Sequence, residues 1–435
     1  MTLANQNVYR TKTTLKLSDC LMWCLAVWPL FWNLWGAFRI TAAYAGSVSV
    51  YLLWGITLVY ALQRRRAKVT YLYTWFLFIV TVGIELLIHP SFSALYDLSV
   101  ILCGVLFCVF STDRRINYPM ILRCMVACGL VVSISVILDS TLGIFRNWLI
   151  YLYTDELQNT KLTLAATGGI IPHTGSAGGF IYAGLAAYIT QIRQKRRQRM
   201  RIGNWVIIFI FGVSALLIQK RGFLVDTFLS VLALRLIQFN YKGKKSFNLG
   251  HTIKRVCSLA VIVAALFFIY YKVALVREAF DSIVSRFTTG DKTLSGRTDL
   301  YALALSLYAG HALTGIGWGR FRSNTLGLFG VAGKTYAVHN VYLQLLCETG
   351  IIGLGMFLLC VISTLVYGIL KYRKIMHSNQ HDKEKNLLQF GLFLQFFFLV
   401  YCMSGNPLYD YNFLITYFIG IIFTLVPIYS RRVDL

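Results

Sequence analysis

Apolar stretches of membrane-crossing length follow one another along the chain, separated by short polar or basic segments. A helix needs about 20 predominantly apolar residues to cross the hydrocarbon core. On that criterion the pattern predicts twelve spans, near 20–38, 41–62, 69–88, 94–111, 118–138, 168–190, 204–219, 223–239, 256–273, 351–370, 387–404 and 411–428. The sixth is the weakest, because Gly168, Gly169, Pro172, Gly175, Gly178 and Gly179 interrupt it. It reads as a broken or partly re-entrant segment, which is tolerated only where it is buried in protein or lines a cavity. Two connections are long, 139–167 and 274–350. The second repeats apolar residues at Leu300, Leu303, Ala304, Leu307 and Tyr308, so it predicts short helices on the outer face instead of a structureless loop.

Composition strengthens this picture. Of 435 residues, 57% are hydrophobic and 14% charged, against roughly a quarter charged in soluble domains. A net charge of +25 suggests nucleic acid in a soluble chain. Here topology explains it better, and no nucleic-acid partner is expected. The basic clusters are Arg10 to Lys16, Arg64 to Lys68, Arg114-Arg115, Arg193 to Arg201, Lys242 to Arg255, Lys371 to Lys385 and Arg431-Arg432. With twelve spans all of them fall on one side, which the positive-inside rule makes cytoplasmic, together with both termini. The polar N-terminal segment has no small-residue cleavage site, so the first span is expected to act as a signal anchor. Nearly all ten cysteines sit in apolar stretches and none forms a C-x-x-C pair, so they read as packing residues. The expected fold is an all-α polytopic membrane protein, a single membrane domain over 1–435 with an extracytoplasmic loop at 274–350.

Four clusters, all on the expected outer side, can carry chemistry. Gln219-Lys220-Arg221-Gly222 joins the seventh and eighth spans; a basic pair there runs against the charge trend, although an arginine at a helix end can also snorkel. Ser295-Gly296-Arg297-Thr298-Asp299 places an arginine before a helix expected to begin near Leu300, with Thr298 or Asp299 as its cap. The run Gly315-Ile316-Gly317-Trp318-Gly319 is not the G-x-G-x-x-G dinucleotide fingerprint and follows no strand. Its glycines allow close approach of the backbone to a ligand or a neighbouring helix. Finally, His339 enters an amphipathic helix beside Asn340, with Gln344 and Glu348 following at four-residue steps, a stripe able to line a polar cavity.

The loop has neither H-E-x-x-H nor a close carboxylate pair for a divalent cation. A phosphate handled here would have its charge met by guanidinium groups. A single imidazole near such arginines suits proton abstraction from a hydroxyl, since neighbouring cations keep it neutral.

In this order, on a twelve-span scaffold, these clusters resemble the bacterial O-antigen ligase and O-antigen or capsular polysaccharide polymerase superfamily. The resemblance is carried by Lys220-Arg221-Gly222, Ser295-Gly296-Arg297, the glycine run 315–319, and His339-Asn340-Val341-Tyr342-Leu343-Gln344 with Glu348-Thr349-Gly350 and Gly353. Gly168 to Gly175, with Pro172 and His173, is similar to a glycine-rich segment of the polymerase branch. Motif-level similarity covers about 205–360. The resemblance implies a GT-C-like, inverting, metal-independent glycosyltransferase that needs no cofactor. Its donor would be a glycan on undecaprenyl diphosphate at the outer leaflet of the cytoplasmic (inner) membrane, and its acceptor a second glycan. Membrane lipids, flippase and chain-length regulator proteins are the implied partners. Arg221 and Arg297 would clamp the diphosphate and His339 would take the proton from the attacking hydroxyl. Lys220, Arg320, Arg322, Tyr336, Asn340, Gln344, Glu348, His173 and Lys334 are the further substrate-binding candidates. Trp318 can stack on a pyranose ring, although an interfacial tryptophan is the default, and the glycine-rich sixth span can open a path for the prenyl chain.

Two alternatives stay open. A ligase transferring the glycan to lipid A core shares donor and leaving group with a polymerase, although the His339-to-Gly350 string and Pro172-His173-Thr174-Gly175 favour the polymerase. A flippase or transporter would place its binding residues near the midplane, often in internal repeats. The mid-span charges here are few, chiefly Arg123, Asp226 and Arg235, and no repeat relates the halves.

Overall fold

Each predicted span that falls within the described residues contains a helix. The structure is a computed structural model describing residues 17–64, 72–111, 117–163, 167–194, 202–239, 277, 292–326, 335–376 and 382–425. In chain order its helices are α1 Leu17–Ala37, α2 Ala42–Arg64, α3 Tyr73–Ile88, α4 Phe92–Phe110, α5 Tyr118–Leu142, α6 Asp155–Thr163 and α7 Thr174–Gln194. They continue with α8 Ile202–Leu217, α9 Arg221–Phe239, α10 Lys292–Gly310, α11 Val341–Met376, α12 Asp382–Tyr401 and α13 Tyr411–Leu425. Among the described residues extended structure is limited to one isolated bridge, Phe38 to Tyr153. The predicted ninth span, 256–273, lies outside them.

By length and composition α1, α4, α5 and α11 can each cross a membrane, and α3, α8 and α13 are shorter apolar helices. Their outward faces carry large apolar side chains such as Leu77, Val80 and Ile84 on α3 and Trp205, Val206 and Phe209 on α8. Water-facing surfaces rarely tolerate contiguous patches of this kind, so the chain is a membrane protein.

Helix α13 is the axis of the bundle. All its residues except Thr416 are buried, as expected of a helix that is apolar all round, and it packs on α1, α4, α7, α11 and α12. Helices α5 and α7 meet closely, because a Cβ on Gly129 would stand 2.8 Å from the Phe180 carbonyl and 3.0 Å from the Gly184 Cα. Small residues permit such approach in membranes. Gly178 and Gly179 face Phe223 and Phe413 in the same way. Gly178 and Gly179 therefore seat the side chains of neighbouring segments, whereas a Cβ on Gly175 would have only Tyr401 OH near it, at 3.8 Å.

Three further expectations shift. The sixth span is helical only from Thr174; 167–173 is a loop held by Lys161, whose Nζ donates to the Gly169 carbonyl at 2.6 Å and lies 3.7 Å from Asp139. Helix α10 begins at Lys292, not near Leu300, so Arg297 sits inside the helix and neither Thr298 nor Asp299 caps it. One Gly296 lowers helix propensity by about 1 kcal/mol without ending a helix whose later turns are packed. Leu300 and Ala304 are buried with Phe321, Val338 and Cys347 in a small core of their own. Lastly, α11 starts at Val341 and is broken at Gly350 (φ 63°, ψ −168°).

That break explains the glycine run. A helix end leaves carbonyls without intrahelical partners; here Ile316 N–H donates to the Cys347 carbonyl (3.0 Å) and Gly317 N–H to that of Glu348 (2.9 Å). The Ile351 N–H in turn donates to the Ala312 carbonyl at 2.9 Å. A Cβ at Gly315 would strike the Glu348 backbone, and one at Gly350 the Leu313 carbonyl. The close approach made by this run is to a helix.

Candidate active site

At one end of the bundle, loops and helices from seven parts of the chain enclose a cavity of about 880 Å³. The α8–α9 link supplies Gln219 and Lys220, α10 supplies Arg297, and the short 3-10 turn Arg322–Thr325 supplies Arg322. His173 comes from the loop before α7, and His339 from the stretch before α11. The opposite wall is the α12–α13 loop, with Ser404, Asn406, Tyr409 and Asp410, closed by Trp32 and Asn33 of α1.

His339 is held by its neighbours' backbone bonds. Val341 N–H donates to the Cys402 carbonyl at 2.8 Å, and Tyr342 OH to that of Leu399 at 2.9 Å. Asn340 caps α11, its Oδ1 accepting from Leu343 N–H at 3.1 Å, which satisfies one orphan donor of the first turn. Between these anchors His339 is left-handed (φ 59°). Gln219 (φ 51°) is the other non-glycine residue in that region among the described residues, and both line the cavity. Left-handed backbone costs a residue with a Cβ roughly 1–2 kcal/mol, and such conformations concentrate at functional sites.

Electrostatics give the cavity one sign. Three cations, Lys220, Arg297 and Arg322, share it with one carboxylate, Asp410. Burial within the loops lowers the pKa of His339 from 6.5 to about 4, helped by Arg297, Lys220 and Arg322, so its imidazole is neutral and able to accept a proton at neutral pH. Burial and then Lys220 also lower that of His173, against Glu156. Asp410 is pushed up to about 6 by burial, opposed by hydrogen bonds from Ser176 Oγ and the Asn412 N–H.

Ser404 Oγ and Asn406 Oδ1 are buried polar atoms with no hydrogen-bond partner, on residues that line the cavity. Orphaned polar atoms are rare in native interiors, and a hydroxylated ligand would satisfy both.

The sequence candidates divide into groups. His339, Arg297, Lys220, Arg322 and His173 line this cavity together. Arg221 opens α9 beside it, and its side chain lies outside what the structure describes, as does Lys334. Arg320 lines a separate cavity. Tyr336 is in the wall behind, its N–H donating to Thr325 Oγ1 at 2.8 Å. The expected polar stripe does not reach the cavity: Gln344 and Glu348 are 1% and 0% exposed. Glu348 instead accepts from Phe321 N–H (3.2 Å), Gln344 Nε2 (3.1 Å) and Tyr409 OH (2.7 Å), tying the glycine run, α11 and the α12–α13 loop together. Trp318 is fully buried, donating to Asp97 Oδ2 at 3.2 Å, and is neither interfacial nor open to a sugar. Sequence reasoning missed Ser404, Asn406, Tyr409 and Asp410; the signal available was Ser404-Gly405-Asn406-Pro407, which by composition reads only as a turn.

Residues 206–358 match the family described as O-Antigen ligase. No match is found among the curated proteins compared.

Proposed function

From a match that supports the O-antigen ligase and polymerase superfamily, whose members are glycosyltransferase-like enzymes acting on lipid-linked glycans, we propose that this chain is a polysaccharide polymerase. It joins undecaprenyl-diphosphate-linked repeat units at the outer leaflet of the bacterial cytoplasmic membrane, with a GT-C-like mechanism. The observation carrying this reading is the convergence of His339 with Lys220, Arg297 and Arg322 around one cavity.

The chemistry follows from the charges. An acceptor hydroxyl attacks the anomeric carbon of the donor glycan, and the carbon–oxygen bond to the diphosphate breaks on the opposite face, inverting the centre. The proton passes to His339, and the negative charge remains on the departing lipid diphosphate. Arg297, Arg322 and Lys220, with Arg221 as the fourth cation on sequence grounds, meet that charge in a preorganised electrostatic site. Bound diphosphate also offsets the cations that depress the pKa of His339. The base therefore gains proton affinity only once the donor is in place, closer to the operating pH that favours general-base catalysis.

The test uses purified protein with undecaprenyl-diphosphate repeat unit as the only glycan. A ladder of products supports the polymerase. No elongation until lipid A core is added makes it a ligase. General-base assistance is worth about 10²–10⁴-fold, so His339→Ala should lower turnover by that factor with the protein still membrane-inserted. A flippase or transporter would keep most of its activity.

A further inference from the structure

Behind the wall that carries Arg322 lies a second cavity, of about 470 Å³, within the roughly 300–1,000 Å³ of small-molecule sites. Residues 320–324 are the partition: Arg322 lines the first cavity, while Arg320, Ser323 and Asn324 line the second. Facing them are His311, just beyond α10, and His89, just beyond α3. None of the residues lining the second cavity serves the chemistry proposed above.

Arg320 is set in place by its surroundings. Its carbonyl accepts from Ser323 Oγ at 2.7 Å and Asn324 Nδ2 at 2.9 Å, and its N–H donates to the Gly317 carbonyl at 3.2 Å. At Gly317 (φ 107°) a Cβ would stand 2.9 Å from Arg320 Cδ and 3.1 Å from His89 Cβ. The arginine stem therefore crosses over Gly317 beside His89. The ring of His311 is oriented by its Nδ1, 3.3 Å from the Leu307 carbonyl; with Nδ1–H donating there, Nε2 is left to accept. No acidic side chain is among the lining residues.

This donor set is selective. A guanidinium binds a planar carboxylate bidentately, an imidazole nitrogen accepts from a hydroxyl, and Leu307 and Ile316 give a small apolar face. The geometry points to a subsite for an acidic sugar residue of the glycan, with Arg320 on its carboxylate and His311 on a neighbouring hydroxyl. It rests on the reading that the first cavity handles the glycan, and it extends that reading by naming the charge of the sugar bound one partition away.

Binding is measured calorimetrically on the full-length protein in lipid nanodiscs, with trigalacturonate, maltotriose and inorganic phosphate as probes. Trigalacturonate should bind at least tenfold more tightly than maltotriose, and phosphate at equal concentration should not displace it. Arg320→Gln should remove the preference; Arg320→Lys, which keeps charge but loses the fork, should lose part of it; His311→Ala should weaken binding severalfold. Thermal melting of each variant reports folding, and the lysine variant keeps the test decisive if the glutamine variant is unstable. Wild-type affinity in Arg320→Gln, equal binding of maltotriose, or displacement by phosphate would each overturn the inference. The assay needs no turnover, so a failed product ladder with Arg320-dependent binding intact counts against the polymerase alone. A normal ladder without Arg320-dependent binding counts against this subsite alone.

Discussion

Replacing Arg297 with Gln should move the acid limb of the pH–rate profile upward, and the size of the shift follows from what surrounds His339. Four causes set its proton affinity: burial first, then the charges of Arg297, Lys220 and Arg322, together lowering it from 6.5 to about 4. His339 is an exposed residue lining an open cavity, so each neighbouring charge is screened and worth about 1 kcal/mol. One pKa unit corresponds to about 1.4 kcal/mol, so losing Arg297 raises the pKa of His339 by roughly half to one unit. The sign is fixed. A base works deprotonated, and a higher pKa keeps it protonated up to a higher pH. At pH 5 a base of pKa about 4 is about nine-tenths neutral, and one shifted up a full unit is about half neutral. The variant's kcat/KM, scaled to its own plateau near pH 7.5, should thus fall roughly twofold at pH 5 while the wild-type value hardly changes. Initial rates of product formation from pH 4.5 to 8 measure this, with scaling to the plateau removing the separate loss of donor binding. Because kcat reports the enzyme–substrate complex, its limb should lie above that of kcat/KM, where the diphosphate has already offset the cations. A wild-type kcat/KM limb at or above pH 6.5, or an unmoved limb in Arg297→Gln, would refute the reasoning.

Three further outcomes are expected. Asn406→Ala should raise KM about fivefold, the worth of one hydrogen bond of about 1 kcal/mol, with kcat nearly unchanged. Its backbone carbonyl, which accepts from the Tyr409 and Asp410 N–H groups, still forms the turn, and steady-state kinetics decide. Gly350→Ala should cost about 1–3 kcal/mol from backbone strain alone, plus the clash with Leu313, and a melting curve equal to wild type in detergent would contradict it. Lys161→Met should destabilise by roughly 3 kcal/mol, because it strips the partner from a buried charge. Asp139 keeps the Phe145 and Arg146 N–H groups at 2.7 and 2.9 Å, so the loss should appear first as faster hydrogen exchange across 167–173.

Helix placement was legible because a bilayer imposes length and polarity on each crossing. The same logic marked Lys220 and Arg297 as charges out of keeping with topology, and they do share a cavity with His339. Periodicity alone was less reliable for the stripe at Asn340, Gln344 and Glu348. It showed that they share a helix face but not what covers that face, and the glycine run and Tyr409 cover it. Asp410 and Asn406 were invisible for a related reason. A turn between two spans has the same composition whether it is a plain connection or the wall of a site, and only the convergence of distant segments tells the two apart. Trp318 carried the opposite error, since an aromatic at a presumed boundary reads as interfacial until a buried partner such as Asp97 is seen.

The segment 311–326 links these observations. Its backbone satisfies the carbonyls freed by the break at Gly350, while its side chains face two ways: Arg322 into the first cavity and Arg320 into the second. The backbone contacts leave no room for a Cβ at Gly315, so the glycines there answer to the helix and not to the substrate. The arginines are less constrained, because the hydrogen bonds that dock the segment on α11 are made by its backbone and the Arg320 stem only packs over Gly317. Substitution at Arg320 or Arg322 should therefore alter binding with little change in melting temperature, whereas substitution at Gly315 or Gly350 should lower both. If the two cavities handle a glycan as proposed, a few side chains would set the sugar preference while the scaffold under them stays fixed.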